Sequence, residues 1–238
     1  MSVLKSITEA KGANKKFLAI LIDPDTDFSI TKAILENAKK VHVDIIFVGG
    51  SLLYKGRVDT CIDFIKSHID LPVTIFPGSE MQLSEKADAI LFLSLISGRN
   101  SELLIGKHVT AAPFLKQMNL EVIPTGYMLI DGGNATTASY ISQTMPIPFN
   151  KPGIAMATAM AGEYLGLQLI YLDAGSGAHN PISSEMIETV RKHITLPLVV
   201  GGGIKNRQAV ISAWNAGADV VVVGNLLESN PDELLGLR

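Results

Sequence analysis

The 238-residue chain has one cysteine, Cys61. A lone thiol excludes a disulfide framework and a CxxC metal site, and it accords with a reducing compartment. No basic cluster interrupts a net charge of −3, which argues against nucleic acid as the main partner. No apolar run reaches the length of a membrane span. The opening MSVLKSITEAKGANKKF lacks the apolar core of a secretory signal. A cytoplasmic protein is the expectation. Its mean hydropathy of +0.30 is nevertheless high. A buried parallel sheet accounts for part of that, and an apolar pocket or subunit interface for the rest.

What the chain does have is a recurring short apolar run. The runs are FLAILID (17–23), DIIFVGG (44–50), PVTIFPG (72–78), AILFLSL (89–95), LEVIPTGYML (120–129), LIYLDAG (169–175), PLVVGGG (197–203) and DVVVVGN (219–225). They are nearly continuous in apolar residues, as parallel strands covered on both faces are. Helical spacing links Ile30, Ala33, Ile34, Ala38 and Val41, then Val58, Ile62, Ile65 and Ile69, then Ile182, Met186, Ile187, Val190 and Ile194, with Ser183 as an N-cap. Eight strands with helices between them predict one (β/α)8 TIM-like barrel domain over 1–238, an open doubly wound sheet being the alternative. Only SEMQLSEKAD separates the third and fourth runs. The third helix is therefore expected to be replaced by a short loop. The echo of VGGSLL (48–53) in VGNLLE (223–228) fits repeated βα units.

In such barrels the active face lies at the strand C-termini, and phosphate often binds after strands seven and eight. Gly201, Gly202 and Gly203 end the seventh run; Gly224 and Asn225 end the eighth. Bare backbone N–H groups there can hold a phosphate dianion, although glycines at strand ends also simply make tight turns. Asp23 ends the first run in Ile22-Asp23-Pro24-Asp25, and Ser51 ends the second. Hard oxygen ligands of this kind suit Mg²⁺; Asp-Pro-Asp equally suits a turn. Alternation turns Tyr171 and Asp173 to one side, where a carboxylate could orient a polyol or accept a proton. His42, His68, His108 and His193 read as surface residues. His179, Lys205 and Arg207 lie near the glycine loops without an assigned role. The small-residue stretch IAMATAMA (154–161) could line an apolar channel or let a helix pack closely.

Taken together, LIDPD (21–25), FVGGS (47–51), IFPGS (75–79), ADAILFLSLISGRN (87–100), YLDAGSGA (171–178), VGGGI (200–204) and VGN (223–225) resemble the geranylgeranylglyceryl phosphate synthase family. That family also includes bacterial heptaprenylglyceryl phosphate synthases. The resemblance implies a Mg²⁺-dependent prenyltransferase joining the 3-hydroxyl of sn-glycerol 1-phosphate to a polyprenyl diphosphate, with geranylgeranyl the expected tail. By motif position it implies Asp23 and Ser51 as metal ligands. Tyr171, Leu172, Asp173, Ala174, Gly175, Ser176 and Gly177 would bind glycerol phosphate, with Gly202, Gly203, Gly224 and Asn225 around its phosphate and Asp173 as the catalytic carboxylate. It also implies a homo-oligomer, and an apolar product implies transient membrane contact. Two departures stand out: Asp173 where many relatives have Glu, and Leu21-Ile22 where some carry Lys. Rival readings are another phosphate-binding barrel of isomerase or aldolase type, or a noncatalytic binder of prenyl or glycerol phosphates. An aldolase would need a lysine inside the barrel, and no predicted strand carries one in its apolar body.

Overall fold

The computed structural model describes residues 2–55 and 57–238. Eight parallel strands close into a barrel in sequential order. They are β1 (Phe17–Ile22), β2 (Ile45–Val48), β3 (Val73–Ile75), β4 (Ala89–Leu95), β5 (Glu121–Leu129), β6 (Leu169–Asp173), β7 (Leu198–Gly201) and β8 (Val220–Val223). All eight predicted runs are strands, and β1 pairs with β8 to seal the ring through Phe17 opposite Val220.

Alternation along the strands sorts the apolar residues into two layers. Phe17, Ala19, Phe47, Leu91, Tyr127, Tyr171, Val199 and Val222 fill the inside. Leu18, Ile20, Ile46, Val48, Ile90, Leu172, Val200 and Val221 point outward under the helices. Both faces are thus buried, which is why the runs contain so few polar residues.

The helices are α1 (Val3–Gly12), α2 (Phe28–Val41), α3 (Val58–His68), α4 (Lys107–Leu115), α5 (Thr137–Ser142), α6 (Pro152–Tyr164), α7 (Ser184–Arg191), α8 (Arg207–Asn215) and α9 (Asn225–Ser229), with a π-helical turn over Glu102–Gly106 leading into α4. Ser183 caps α7 as expected, accepting from the Met186 N–H. The first helix was not anticipated. Its Val3, Ile7 and Ala10 join the barrel interior and close the end opposite the strand C-termini. Glu121, at the start of β5, accepts from the Val3 N–H at 2.5 Å and from Ser2 Oγ at 2.6 Å, which satisfies the helix N-terminus there.

Among the described residues no helix lies between β3 and β4. The connection over 76–88 is instead tied down by side chains. Gln82 donates to the Gly50 carbonyl and accepts from the Gly78 N–H. Ser84 donates to Asp59 and Lys86 pairs with Asp63, both on α3. Part of the outer face of β4 is therefore covered by no helix. By contrast, α6 packs very close to the barrel. A Cβ at Gly162 would lie 2.9 Å from Ile96 Cδ1, and Ala155 and Ala159 are fully buried. The small residues of 154–161 thus serve close packing, not a channel. Among the described residues no helix is long and apolar enough to cross a membrane.

Candidate active site

A cavity of about 650 Å³ opens at the C-terminal mouth of the barrel. Its polar end is built on β5, β6 and β7. Asp173 ends β6 and is buried. Its Oδ2 accepts from Tyr127 Oη at 2.6 Å and its Oδ1 from the Gly175 N–H at 2.7 Å. Burial pushes the carboxyl pKa up, and these two donors pull part of it back. Tyr127 and Tyr171 are neighbours in register on β5 and β6. Their rings meet edge to face at 5.7 Å, and Tyr171 stacks on Phe76 at 5.0 Å. Burial first, then the Asp173 charge, raises both phenol pKa values well above the ordinary range. Both tyrosines therefore stay protonated, and Tyr127 is a fixed donor.

The glycines gather beside this carboxylate. Gly202 has φ +81°, and a Cβ on it would lie 2.6 Å from the Gly175 nitrogen and 2.8 Å from Asp173 Oδ1. Only glycine fits both that backbone and that gap. Gly175, Ser176, Gly177, Gly203, Gly224 and Asn225 line the same wall, and Ser176 Oγ donates to Asn225 Oδ1 at 3.1 Å. Leu172 and Ala174, counted in the binding stretch, do not line the cavity. Alternation turns both into the outer layer, and the Ala174 N–H is used by the Gly201 carbonyl.

Asp23 and Ser51 line another corner of the mouth. The Asp23 carboxylate lies on the turn before Ser51, where a Cβ at Gly50 would come within 2.3 Å of Asp23 Oδ2. Burial, with the nearby Asp25 charge, raises the Asp23 pKa; the Asp25 N–H, donating at 2.8 Å, opposes this. Burial and Asp23 likewise raise Glu228 and push the Cys61 thiol up to about 12. Asp25 accepts from the Tyr54 and Lys55 N–H groups and pins the loop after β2. Among the described residues no group of three or more His, Cys, Asp or Glu side chains is arranged to hold a metal.

The other arm is apolar. It runs down the outer face of β4 where the third helix is missing, lined by Leu83, Ile90, Phe92, Ala111 and Leu115. His108 belongs to this wall, contrary to its expected place on the surface. It is 8% exposed, its ring meets Phe92 edge to face at 4.4 Å, and its Nε2 lies 3.2 Å from Ser94 Oγ. His108 is the second residue of α4, directly after the π-helical turn, and lines the groove with Ala111 and Leu115 of the same helix. Burial lowers its pKa, offset in part by the Leu93 backbone, so it is neutral at physiological pH. His179 stays outside the cavity, its N–H on Asn134 Oδ1 and its carbonyl accepting from Lys205 Nζ. Among the described residues no strand carries a lysine, which leaves no Schiff-base candidate in the barrel wall. Sequence reasoning missed Tyr127 and Phe76; the alternation that paired Tyr171 with Asp173, applied to the fifth and third runs, points to both.

Comparison with known proteins places this geometry among relatives. The family model described as the PcrB family matches residues 10–236. A geranylgeranylglyceryl phosphate synthase of Spirosoma linguale is 48% identical over 98% of this chain and 93% of its own length. One of Pyrococcus furiosus is 42% identical over 90% of this chain and 86% of its own. The crystal structure of (S)-3-O-geranylgeranylglyceryl phosphate synthase from Thermoplasma acidophilum, in complex with its substrate sn-glycerol-1-phosphate, superposes with a TM-score of 0.93 at 34% identity, covering 100% of this chain and 97% of that one.

Proposed function

The chain belongs to the PcrB family, and we infer that it transfers the geranylgeranyl group of geranylgeranyl diphosphate to the 3-hydroxyl of sn-glycerol 1-phosphate. The observation that carries this reading is the two-ended cavity. One end is a glycine-walled pocket beside a buried carboxylate, and the other is an apolar arm along β4. A small phosphorylated polyol suits the first end and an isoprenoid tail the second.

The phosphate of glycerol 1-phosphate lies against Gly177, Gly202, Gly203, Gly224 and Asn225, where absent Cβ atoms let backbone donors approach. Asp173 takes the glycerol hydroxyls. Its two oxygens are held by Tyr127 and Gly175, so the carboxylate is aimed before substrate arrives. The C1–oxygen bond of the allylic diphosphate breaks and its electron pair leaves with the diphosphate. The glycerol 3-oxygen forms the new bond to C1 and gives its proton to Asp173. The raised pKa makes that carboxylate a stronger base than an exposed aspartate. Tyr127, Tyr171 and Phe76 wall the reacting carbon from water, which would otherwise intercept it.

A divalent magnesium ion fits the Asp23–Ser51 corner. Asp23 is a half-buried carboxylate beside Glu228, and neither makes an ion pair with lysine or arginine among the described residues. With too few acidic ligands for an all-protein cage, the corner suits an ion that shares substrate phosphates and water. When bound, the ion supplies charge neutralisation for the departing diphosphate.

The whole chain acts as one catalytic barrel in this reading. Ile105, Val109 and Phe114 at α4 and Ile154, Tyr164 and Leu165 at α6 leave large apolar side chains in water, which supports a homo-oligomer. In this reading the enzyme is cytoplasmic, and its apolar product implies transient contact with a membrane surface. The test is incubation with Mg²⁺, labelled sn-glycerol 1-phosphate and a ladder of polyprenyl diphosphates, with product mass as the readout. An ether-linked geranylgeranyl product is expected. Binding of glycerol phosphate without turnover on any donor would replace the enzyme by a binder.

A further inference from the structure

The cavity wall holds a cation that the reaction above has not used. Lys107 opens α4, and its Nζ lies 2.6 Å from Glu80 Oε2. Both side chains line the cavity, 41% and 35% exposed. Glu80 belongs to the 76–88 connection, whose position is fixed on the Ser51 turn. A Cβ at Gly78 would lie 2.2 Å from the Gly50 carbonyl and 2.9 Å from Ser51 Cα. Gln82 spans the Gly78 N–H and the same Gly50 carbonyl. The connection therefore delivers the ammonium group to the Ser51 side of the mouth. The next residue, His108, packs on Phe92 at the top of the apolar arm. Lys107 thus stands where the arm meets the Asp23–Ser51 corner.

A prenyl diphosphate with its tail in the arm and C1 at the glycerol hydroxyl must put its diphosphate at that junction. The cavity-lining carboxylates are Asp23, Glu80, Asp173 and Glu228, and the lining lysines are Lys107 and Lys205. Lys205 is held on the opposite side by the His179 carbonyl at 3.1 Å.

We propose that Lys107 binds the diphosphate of the prenyl donor, turning from Glu80 to the phosphate oxygens when the donor enters. This rests on the transferase reading above. Lys107 transfers no proton and forms no covalent bond. Its hydrogen bond to Glu80 holds that carboxyl below the usual range, so Glu80 stays ionised and keeps the ammonium aimed. A half-exposed ion pair contributes little, so it yields readily to a polyanion. Negative charge grows on the departing oxygen as C1 lets go, and the contact strengthens in the transition state.

The probe is inorganic pyrophosphate in magnesium buffer, measured by calorimetry beside steady-state kinetics. Lys107→Gln is expected to weaken pyrophosphate binding and kcat/KM for geranylgeranyl diphosphate by roughly 10- to 100-fold. Its affinity for sn-glycerol 1-phosphate is expected to stay unchanged. Lys107→Arg should recover most of the loss. Glu80→Gln frees the ammonium and should bind pyrophosphate as tightly as the unmodified chain, or more tightly. Pyrophosphate affinity in Lys107→Gln within about twofold of the original would overturn the proposal. So would a joint loss of affinity and melting temperature in both variants, which would make the pair a structural strap. No turnover by the unmodified chain with any donor would overturn the reaction itself; normal turnover with an unaffected Lys107→Gln overturns only the part given to the lysine.

Discussion

Asp173→Asn separates charge from shape at the centre of the site. The asparagine amide has the same outline, and both existing contacts survive the exchange. Its carbonyl oxygen can accept from the Gly175 N–H where Oδ1 does now, at 2.7 Å. Its amide nitrogen can donate to Tyr127 Oη, since a phenol accepts as well as donates. The loss therefore falls on basicity. Removal of a positioned general base lowers turnover by about 10²- to 10⁴-fold, and that range is expected for kcat. Binding of glycerol 1-phosphate should weaken less, by roughly tenfold, because the phosphate cradle is untouched. Stability moves the other way. The folded state holds the Asp173 proton more tightly than the unfolded chain does, because burial raises its pKa. Between the ordinary carboxylate value and the raised one, the native state thus binds more protons, and stability falls as pH rises through that window. The asparagine variant lacks this penalty, so its melting temperature at neutral pH should equal or exceed that of the unmodified chain. Single-turnover kinetics with labelled glycerol phosphate measure the first effect and thermal denaturation the second. A kcat within about threefold of the original would remove Asp173 from proton transfer. A large drop in melting temperature would mean that the carboxylate is structural.

Tyr127→Phe removes a donor that pulls the Asp173 pKa down. The acid limb of the kcat/KM profile, where Asp173 gains its proton, should move to higher pH; an unmoved limb would dissociate the pair. Gly202→Ala puts a Cβ 2.6 Å from the Gly175 nitrogen at φ +81°. A destabilisation of about 2 kcal/mol or more is expected by denaturant titration, with loss of glycerol phosphate binding by calorimetry. Ala111→Phe places a ring in the arm. It should cut use of geranylgeranyl diphosphate by roughly tenfold relative to a shorter donor in a competition assay. The uncleaved donor should raise the melting temperature more than pyrophosphate does at equal free concentration, because its tail adds contacts along β4 and lowers its dissociation constant; equal shifts would place the tail elsewhere.

Strand positions were legible because β-sheet burial on both faces leaves a run with no competing pattern, as VVVV of β8 shows. Asp173 and the glycine loops were legible because strand ends in a barrel face one mouth. The residues that were misread lie where local pattern does not decide. His108 follows a π-helical turn, and the extra residue of such a turn breaks the 3.6-residue spacing from which its face would be read. Leu172 and Ala174 are the exception: the motif includes them in the binding stretch, while alternation along the strand already turns them outward. The α1 plug is anchored by Glu121, more than a hundred residues away in sequence, so nothing local marks it. The role of 154–161 was set by what it packs against, Ile96 and Ile170 around Gly162, and small residues by themselves suit either outcome.

The missing third helix links the fold to the chemistry. In a complete barrel a helix after β3 would cover the outer faces of β3 and β4, and the cavity would end at the mouth. Here 76–88 crosses without a helix, and the half-buried Phe92 lines the open groove. Exposed apolar area of this kind costs about 25 cal/mol per Å², so a chain that keeps it forgoes stability that a helix would supply. The same connection is fixed at several points, to Gly50 through Gln82 and to α3 through Ser84 and Lys86. A loop that merely failed to be a helix would not need so many attachments. Fixed in this way, it holds the groove open beside Ser51. On the proposed reading the tail of the substrate takes the place of the absent helix, and its diphosphate head reaches the part of the cavity lined by Asp23, Ser51 and Lys107.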